Sequence, residues 1–183
     1  MHKCIDLSKA YDRVNWLYIR MLLTHLGFGM DFIRWTMSCI TSVSFAILIN
    51  AAATKLFHAQ RGLRQGCPLS PLLFLLVAEG LNKYLKDAMA SGRFGGVQIA
   101  RGMTISHLLF VDDILIFCNG TRRDTDCLLE GIDLFKRATG MIINEGKYVL
   151  VTNMNRDADF LYMAGSFPFQ VETMDRGLKY LGF

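Results

Sequence analysis

The chain has 183 residues, of which 52% are hydrophobic and 20% are charged, and its formal net charge is +4. This composition is typical of a folded protein with a packed core and excludes a disordered chain. The longest apolar run, residues 72–78, is far shorter than the roughly 18 residues that a membrane span needs, so we expect no membrane partner. The mild positive charge is compatible with a nucleic-acid partner but does not argue for one.

The five cysteines are scattered along the chain and form no CxxC pair. An odd, scattered set without zinc-like Cys/His spacing indicates reduced thiols in an intracellular protein. The first residues lack the basic-then-apolar order of a signal peptide. Because the chain begins in MHKCIDL and stops on LKYLGF, both strand-like, we expect both ends to be cut from a longer polypeptide.

The first third of the chain predicts two helices and a hairpin. An apolar stripe predicts a helix over about residues 12–26. The stripe comprises Val14, Leu17, Tyr18, Met21 and Leu22. Asp31 is a candidate cap for a second helix ending near Ile40. The runs 42–50 and 54–60 then predict a hairpin around residues 50–53.

The rest of the chain mixes helices and strands. A long helix is predicted over about 71–90 after a loop rich in Gly and Pro, with Pro71 in its first turn. Its leucines are predicted to be core: Leu72, Leu73, Leu75, Leu76 and Leu81. Strands are predicted at 97–100, 104–118, 141–144, 147–151 and 178–183, with a helix over about 123–138 closed by Gly140. Residues 153–170 predict only a connector. The mixture favours one α+β domain over residues 1–183, an antiparallel sheet covered by helices.

Two adjacent aspartates, Asp112 and Asp113, lie inside the apolar run LLFVDDILIF. Unpaired buried carboxylates are costly, so the run predicts a hairpin whose turn exposes them. Three interpretations remain open: a surface turn, an acid/base pair as in aspartic proteases, or a divalent-metal site. The second needs another Asp-Thr/Ser-Gly loop, which the sequence lacks. The third needs one further carboxylate, for which Asp6 is the candidate unless it is a turn residue; three carboxylates can hold two Mg²⁺ ions about 4 Å apart.

Five sequence blocks resemble those of reverse transcriptases, in the same order and at similar intervals. They are DLSKAYDRVNW, GLRQGCPLSPLLF, FVDDILIF, GMIINEGK and LKYLGF. They are similar to the blocks of non-LTR (LINE-type) retrotransposons, of the sort common in flowering plants. The resemblance implies the palm of a right-hand polymerase, from the first catalytic block to the primer-grip block. It implies an RNA-directed DNA polymerase that uses two Mg²⁺ ions (or Mn²⁺), an RNA template, a DNA primer and deoxynucleoside triphosphates, and it implies a nuclear location.

The resemblance also implies roles for single residues. The catalytic and metal-binding residues are Asp6, Asp112 and Asp113. The residues implied to bind the nucleotide are Leu7, Ser8, Tyr11, Gln65, Gly66 and Lys147. The residues implied to contact the primer are Phe110, Val111, Tyr180, Leu181 and Gly182.

Several of these roles have alternatives. Tyr11 matches an aromatic steric gate that would exclude a ribose 2′-hydroxyl, but it is equally a packing residue at a helix start. The family usually has alanine where this chain has Val111. Lys147 is a candidate proton donor to pyrophosphate or a solvated lysine. Arg61 and Arg64 are candidate phosphate contacts or solvated loop residues.

The resemblance implies a fingers region upstream, a thumb downstream and an endonuclease domain, all outside this chain. Because a polymerase must hold template and primer in register, we expect the isolated chain to polymerise weakly or not at all. Two rival functions remain open: a group II intron maturase, which shares these blocks, and a non-catalytic relic or RNA-binding fragment.

Overall fold

A computed structural model describes residues 2–110, 113–144, 149–152, 158–167 and 170–173, and for residues 2–6, 149–152 and 170–173 it describes the backbone alone. Within these ranges the helices α1–α6 span Ala10–Arg13, Trp16–His25, Met30–Thr41, Leu69–Ala90, Arg122–Thr139 and Ala158–Ser166. The strands β1–β12 span His2–Ser8, Ser44–Phe45, Leu48–Ile49, Ala52–Ala53, Phe57–His58, Val97–Ala100, Met103–Ile105, His107–Phe110, Asp113–Phe117, Ile142–Ile143, Val149–Thr152 and Gln170–Thr173. None of the helices in these ranges has the length and apolar character needed to cross a bilayer.

Strand β1 lies at the centre of the main sheet. The described strands follow the order β12-β11-β1-β9-β8, and β10 also pairs with β1. Every pairing in this sheet is antiparallel except that of β11 with β12, which is parallel. The predicted α+β fold with a sheet covered by helices is confirmed, with one parallel pair that the sequence did not predict.

The long helix α4 packs one face into the core. Its buried side chains recur every three or four residues, as a helix with one apolar face requires. They include Leu73, Phe74, Val77, Leu81, Leu85 and Ala88. The prediction that all five leucines are core was wrong for Leu72 and Leu75, which are 61% and 58% exposed, because these two positions fall off that face.

The helix predicted over 12–26 is two helices, α1 and α2. The chain leaves helical geometry at Val14, and Asn15 caps α2 by accepting a hydrogen bond from the Leu17 backbone N–H at 2.9 Å. This break rotates α2 relative to the predicted stripe. Leu17 and Met21 are therefore each 62% exposed, and α2 buries Ile19 and Leu23 instead.

Three further local predictions have clear outcomes. Helix α3 begins after Gly29, and Asp31 lies in its first turn as an ion-pair partner of Arg34, so the predicted cap was wrong. The predicted hairpin around 50–53 is confirmed: Asn50 and Ala51 both have positive φ, as a two-residue turn with matching twist needs. Helix α6 lies within residues 153–170, for which the sequence predicted only a connector, so that prediction was wrong.

The hairpin predicted around the paired aspartates is confirmed by the pairing of β8 with β9, but the prediction that both aspartates lie in its turn was wrong for Asp113, because this residue pairs with both neighbouring strands and begins β9. Phe110 is opposite Asp113, which leaves residues 111–112 to connect the two strands. Asp6, the candidate third carboxylate, is not a turn residue: it lies within β1, because the chain stays extended to Ser8. The strand predicted at 178–183 falls outside the described residues.

The loop at residues 61–66 is fastened to the segment that follows β1. The Leu63 N–H donates to the Tyr11 carbonyl at 2.6 Å, and the Gly62 N–H donates to the Val14 carbonyl at 2.8 Å. The Trp16 indole N–H donates to the Gly62 carbonyl at 2.6 Å. Gly62 has φ +91°, and a Cβ there would lie 2.7 Å from the carbonyl oxygen of Asp12. The close approach of these two backbones therefore requires glycine.

Helix α5 begins with a capping box. The Thr121 hydroxyl accepts from the Asp124 N–H at 3.1 Å, and the Asp124 carboxylate accepts from the Thr121 N–H at 3.3 Å. Asp124 is buried and also accepts from the Gly95 N–H at 2.7 Å. The box therefore joins the start of α5 to the segment after α4.

We expect Thr121→Ala to lower the free energy of unfolding by about 1 kcal/mol, since an orphan helix N–H loses its side-chain acceptor. Urea unfolding followed by circular dichroism measures this. The control is Ser38→Ala, an exposed helical position in α3, which should change the value by no more than about 0.5 kcal/mol. Equal unfolding of wild type and Thr121→Ala would contradict the assignment.

We expect Gly62→Ala to lower the free energy of unfolding by about 2 kcal/mol or more, because strained φ and a backbone clash add together. Gly102→Ala is the matched control: its φ is +78°, with nothing within 4 Å of the added Cβ, so it reports the φ strain alone. If the two variants lose the same stability, the close approach at Asp12 contributes nothing.

Candidate functional site

One row of residues crosses three strands where the β8–β9 hairpin turns. Asp113 on β9 is opposite Phe110 on β8 and opposite Asp6 on β1. Asp113 is half-buried and Phe110 is 54% exposed. Directly opposed residues of antiparallel strands belong to one face of a sheet. The structure thus brings together two of the three predicted metal-binding positions with one of the predicted primer-contacting residues.

Buried packing immediately beyond this row fixes its position. Five consecutive backbone pairs join β1 to β9, from His2 opposite Phe117 to Asp6 opposite Asp113. The next side chains of β9, Ile114 and Ile116, are 3% and 0% exposed. The row is therefore the solvent-facing end of a strand that is otherwise core.

The chain turns sharply from β1 toward Tyr11. Leu7 is buried with 3% exposure, so only its backbone is available to a nucleotide, and Ser8 is half-buried. Lys9 has φ 49° and ψ 47°, the left-handed conformation that ends the strand and starts α1. The Tyr11 ring stacks on Phe74 of α4, with centroids 4.8 Å apart and planes 12° apart. Tyr11 packs as the plainer interpretation predicted, and its role as a gate stays a prediction.

The loop that carries Gln65 and Gly66 is held beside Tyr11 by the Leu63 hydrogen bond described above. Both residues are exposed, and Gly66 has φ +83° with open space where a Cβ would lie. The opening beside Gly66 is consistent with the predicted close approach of a substrate to this backbone.

Two cavities adjoin this loop and share Arg64 and Gln65. One, of about 500 Å³, is lined by residues that include Asp12, Phe45 and Arg61. The other, of about 800 Å³, extends toward the start of α4. Arginine side chains at such an opening suit an anionic ligand, because guanidinium groups form charge-assisted hydrogen bonds with phosphate oxygens.

The predicted metal site is only partly described. Among the residues whose side chains are described, no group of three or more His, Cys, Asp or Glu could hold a metal ion. Asp112 lies outside the described residues, and Asp6 is described by its backbone alone. The three-aspartate site therefore stays a prediction.

Other predicted site residues also fall outside the part of the chain that the structure describes: Val111, Lys147, Tyr180, Leu181 and Gly182. Conversely, sequence reasoning missed the residues that support the site, Trp16 and Gly62. Gly62 precedes Gln65 in RGLRQG, so its glycine was a usable signal for close backbone approach. Nothing in the spacing of Trp16 predicts its hydrogen bond to a residue 46 positions away.

Comparisons with known proteins agree with this geometry. The family model for reverse transcriptase (RNA-dependent DNA polymerase) matches residues 2–183. A Pol polyprotein from the type-1 retrotransposable element R2 of Popillia japonica is 29% identical over 145 residues, 78% of this chain and 23% of that protein. A 149 kDa protein of the transposon TX1 of Xenopus laevis is 26% identical over 97% of this chain and 13% of its own length. An uncharacterized mitochondrial protein of Arabidopsis thaliana is 45% identical over 36% of this chain and 55% of its own length.

Solved structures share the fold. Telomerase of Candida albicans in complex with telomeric RNA superposes with a TM-score of 0.64 at 13% identity, over 85% of this chain and 27% of that one. Apo telomerase of Candida tropicalis gives 0.62 at 15% identity, over 85% of this chain and 31% of that one. The expected right-hand polymerase fold is therefore confirmed.

The curated relatives are longer than this chain, which spans 55%, 23% and 13% of the three described above. The resemblance to reverse transcriptases of non-LTR retrotransposons is confirmed by the family match and by these relatives. The five blocks, the three-strand row and the family match over residues 2–183 lead to one conclusion: the chain belongs to the reverse transcriptase (RNA-dependent DNA polymerase) family.

Proposed function

We propose that this chain adds deoxynucleotides to the 3′-hydroxyl of a DNA primer on an RNA template, using divalent cations held by Asp6, Asp112 and Asp113. The observation that carries the proposal is the register that sets Asp6 opposite Asp113. Asp112 directly precedes Asp113 in the sequence, so in this proposal three carboxylates belong to one end of the sheet. A surface turn alone would not require a carboxylate on the neighbouring strand.

The donor set fits Mg²⁺, with Mn²⁺ as an alternative, because both ions prefer oxygen ligands. Opposed positions of antiparallel strands have Cβ atoms about 4.5–5.5 Å apart, a spacing at which two carboxylates can share a cation. Such cations activate an attacking hydroxyl and stabilise the charge of a leaving pyrophosphate. The carboxylates would hold the positive charge of these cations at one end of the sheet.

The other residues orient the two reactants. In this proposal the backbone at Leu7 and Ser8 and the ring of Tyr11 form one side of the nucleotide site. Gln65 and Gly66 form the other, since the Leu63 hydrogen bond fastens their loop to Tyr11 at 2.6 Å. Holding reactants in this way lowers the entropic part of the barrier.

The primer and the triphosphate are assigned to opposite ends of this arrangement. Phe110, which is 54% exposed beside Asp113, and Val111 are proposed to contact the primer end. Tyr180, Leu181 and Gly182 are proposed to hold the primer backbone. Arg61 and Arg64 at the cavities, and Lys147, are proposed to face phosphates. These roles follow from the resemblance, and the exposure of Phe110 supports the first of them.

We expect Asp112→Asn to slow extension of a DNA primer on an RNA template by about 100-fold or more, because a neutral amide replaces a charged ligand. Extension by the 183-residue chain assayed by itself should be slow, and chelation of Mg²⁺ should abolish it. The measurement is the length of a labelled primer after incubation with deoxynucleoside triphosphates.

The matched control is Asp133→Asn, the same chemical change at an exposed residue of α5 that pairs with Arg137 at 3.0 Å. It should leave the extension rate unchanged. Equal extension by wild type and Asp112→Asn would contradict the proposal. RNA binding that weakens with salt, in a chain that extends no primer even within the longer polypeptide, would favour an RNA-binding fragment instead.

We expect Tyr11→Val to raise the incorporation of ribonucleotides relative to deoxynucleotides by about tenfold or more, because a smaller side chain leaves room for the 2′-hydroxyl. The measurement compares kcat/KM for the two nucleotide types on one primer–template.

Phe74→Leu is the control for this variant, since it removes the stacking partner of Tyr11 and leaves the tyrosine in place. Both variants should lose stability, and only Tyr11→Val should change the preference for the sugar. A similar change of preference in both would mean that Tyr11 acts only as a packing residue.

A further inference from the structure

A chain of polar side chains joins strand β8 to helix α4. His107 of β8 lies between Ser106, whose hydroxyl is 2.8 Å from Nδ1, and Asn82 of α4, whose Oδ1 is 2.8 Å from Nε2. Asn82 in turn donates through Nδ2 to the Glu79 carboxylate at 2.6 Å. None of these four hydrogen-bonded side chains has a role in the proposed reaction.

The hydrogen bonds fix one form of the imidazole. The carboxylate of Glu79 only accepts, so Asn82 must present its amide nitrogen to Glu79 and its oxygen to His107. That oxygen also only accepts, so Nε2 of His107 carries the proton and donates it. Nδ1 is then bare in the neutral ring and accepts the hydrogen bond from the Ser106 hydroxyl.

The surroundings favour this neutral form. Burial is the main cause that lowers the pKa of His107 below its ordinary value, and the positive charge of Lys86 lowers it further, against a smaller opposite effect of Glu79. Ser106 is buried with 6% exposure. A neutral ring with both nitrogens engaged is therefore the state at neutral pH.

The hydrogen bond between His107 and Asn82 lies on the opposite face of the sheet from the row that carries Asp113. Among the described strands β8 pairs only with β9, so it is an edge strand of four residues. His107 and Leu109 share the face that packs against the helices, whereas Phe110 is 54% exposed on the other. The bond to Asn82 therefore joins β8 to α4 through the face opposite to that of Phe110 and Asp113.

We propose that His107, through its Nε2–H bond to Asn82, is a positioning residue that clamps edge strand β8 to α4 and thereby holds the Phe110–Asp113 end of the hairpin against β1. This role rests on the proposed function for its effect on catalysis. The clamp itself does not depend on that function, and it can be measured without any turnover.

Three substitutions separate the two nitrogens of the ring. His107→Gln puts an amide N–H near the Nε2 position and keeps the bond to Asn82. His107→Asn reaches only as far as Nδ1 and keeps the bond to Ser106. His107→Leu removes both.

Amide hydrogen exchange tests the clamp. In His107→Leu and His107→Asn, amides of 107–110 and 113–117 should exchange about tenfold faster or more, with those of α5 unchanged. His107→Gln should exchange like wild type. Faster exchange throughout the chain, or no change in the hairpin, would overturn the clamp. Imidazole ¹⁵N shifts of the wild type should show a protonated Nε2 and a bare Nδ1; the opposite tautomer would also overturn it.

Primer extension then tests the consequence. His107→Leu should lower kcat by about tenfold or more, with the KM for nucleotide little changed, and His107→Gln should restore it. If His107→Leu extends the primer at the same rate as the wild type, the positioning role is overturned and the proposed function still stands. If the chain shows the expected exchange pattern but extends no primer even within the longer polypeptide, the clamp is supported and the proposed function is contradicted.

Discussion

The arrangement of the site depends on the backbone register between β1 and β9. A slip of one residue would move Asp113 away from Asp6 and turn every side chain of β9 to the other face. The register resists that slip because residues 114–117 of β9 are buried on both faces of the strand, and a slip would force each side chain into a space filled by a different one. The packing of these four residues thus determines where two carboxylate positions meet, and the chemistry of the site depends on hydrophobic packing beside it.

A second connection makes the loop at residues 61–66 part of the same body. The chain leaves β1 through the left-handed Lys9, and Tyr11 then stacks on Phe74 of α4. The backbone of Tyr11 also accepts the hydrogen bond from Leu63. The strand that carries Asp6, the helix that covers the sheet and the loop that carries Gln65 are therefore joined within a few residues. A disturbance of the loop at Gly62 acts on the strand through backbone hydrogen bonds, without a flexible side chain between them.

Local patterns predicted much of this fold and missed what depends on distant contacts. The β8–β9 hairpin, helices α4 and α5 and the turn at Asn50 were predicted because apolar periodicity and turn residues act over a few positions. The break at Asn15 was missed because a cap outweighed a continuous apolar stripe, and α6 was missed because its segment resembled a connector. At the site, the pattern of residues suggested that Asp6 and Asp113 belong together, but only long-range pairing shows that they are opposed. The hydrogen bond of Trp16 to Gly62 has no local signature at all.

The central position of β1 has a consequence for the newly made protein. Its described partners, β9, β10 and β11, begin about 100 residues further along the chain. At a synthesis rate of roughly 5–20 residues per second, β1 leaves the ribosome about 5–20 s before the first of them exists. Until then a strand of seven residues has both edges open, and open edges are templates for pairing with other chains. Among the described strands of the main sheet, the strand that aligns the site in the finished protein is thus the one that waits longest for its partners while the protein is being made.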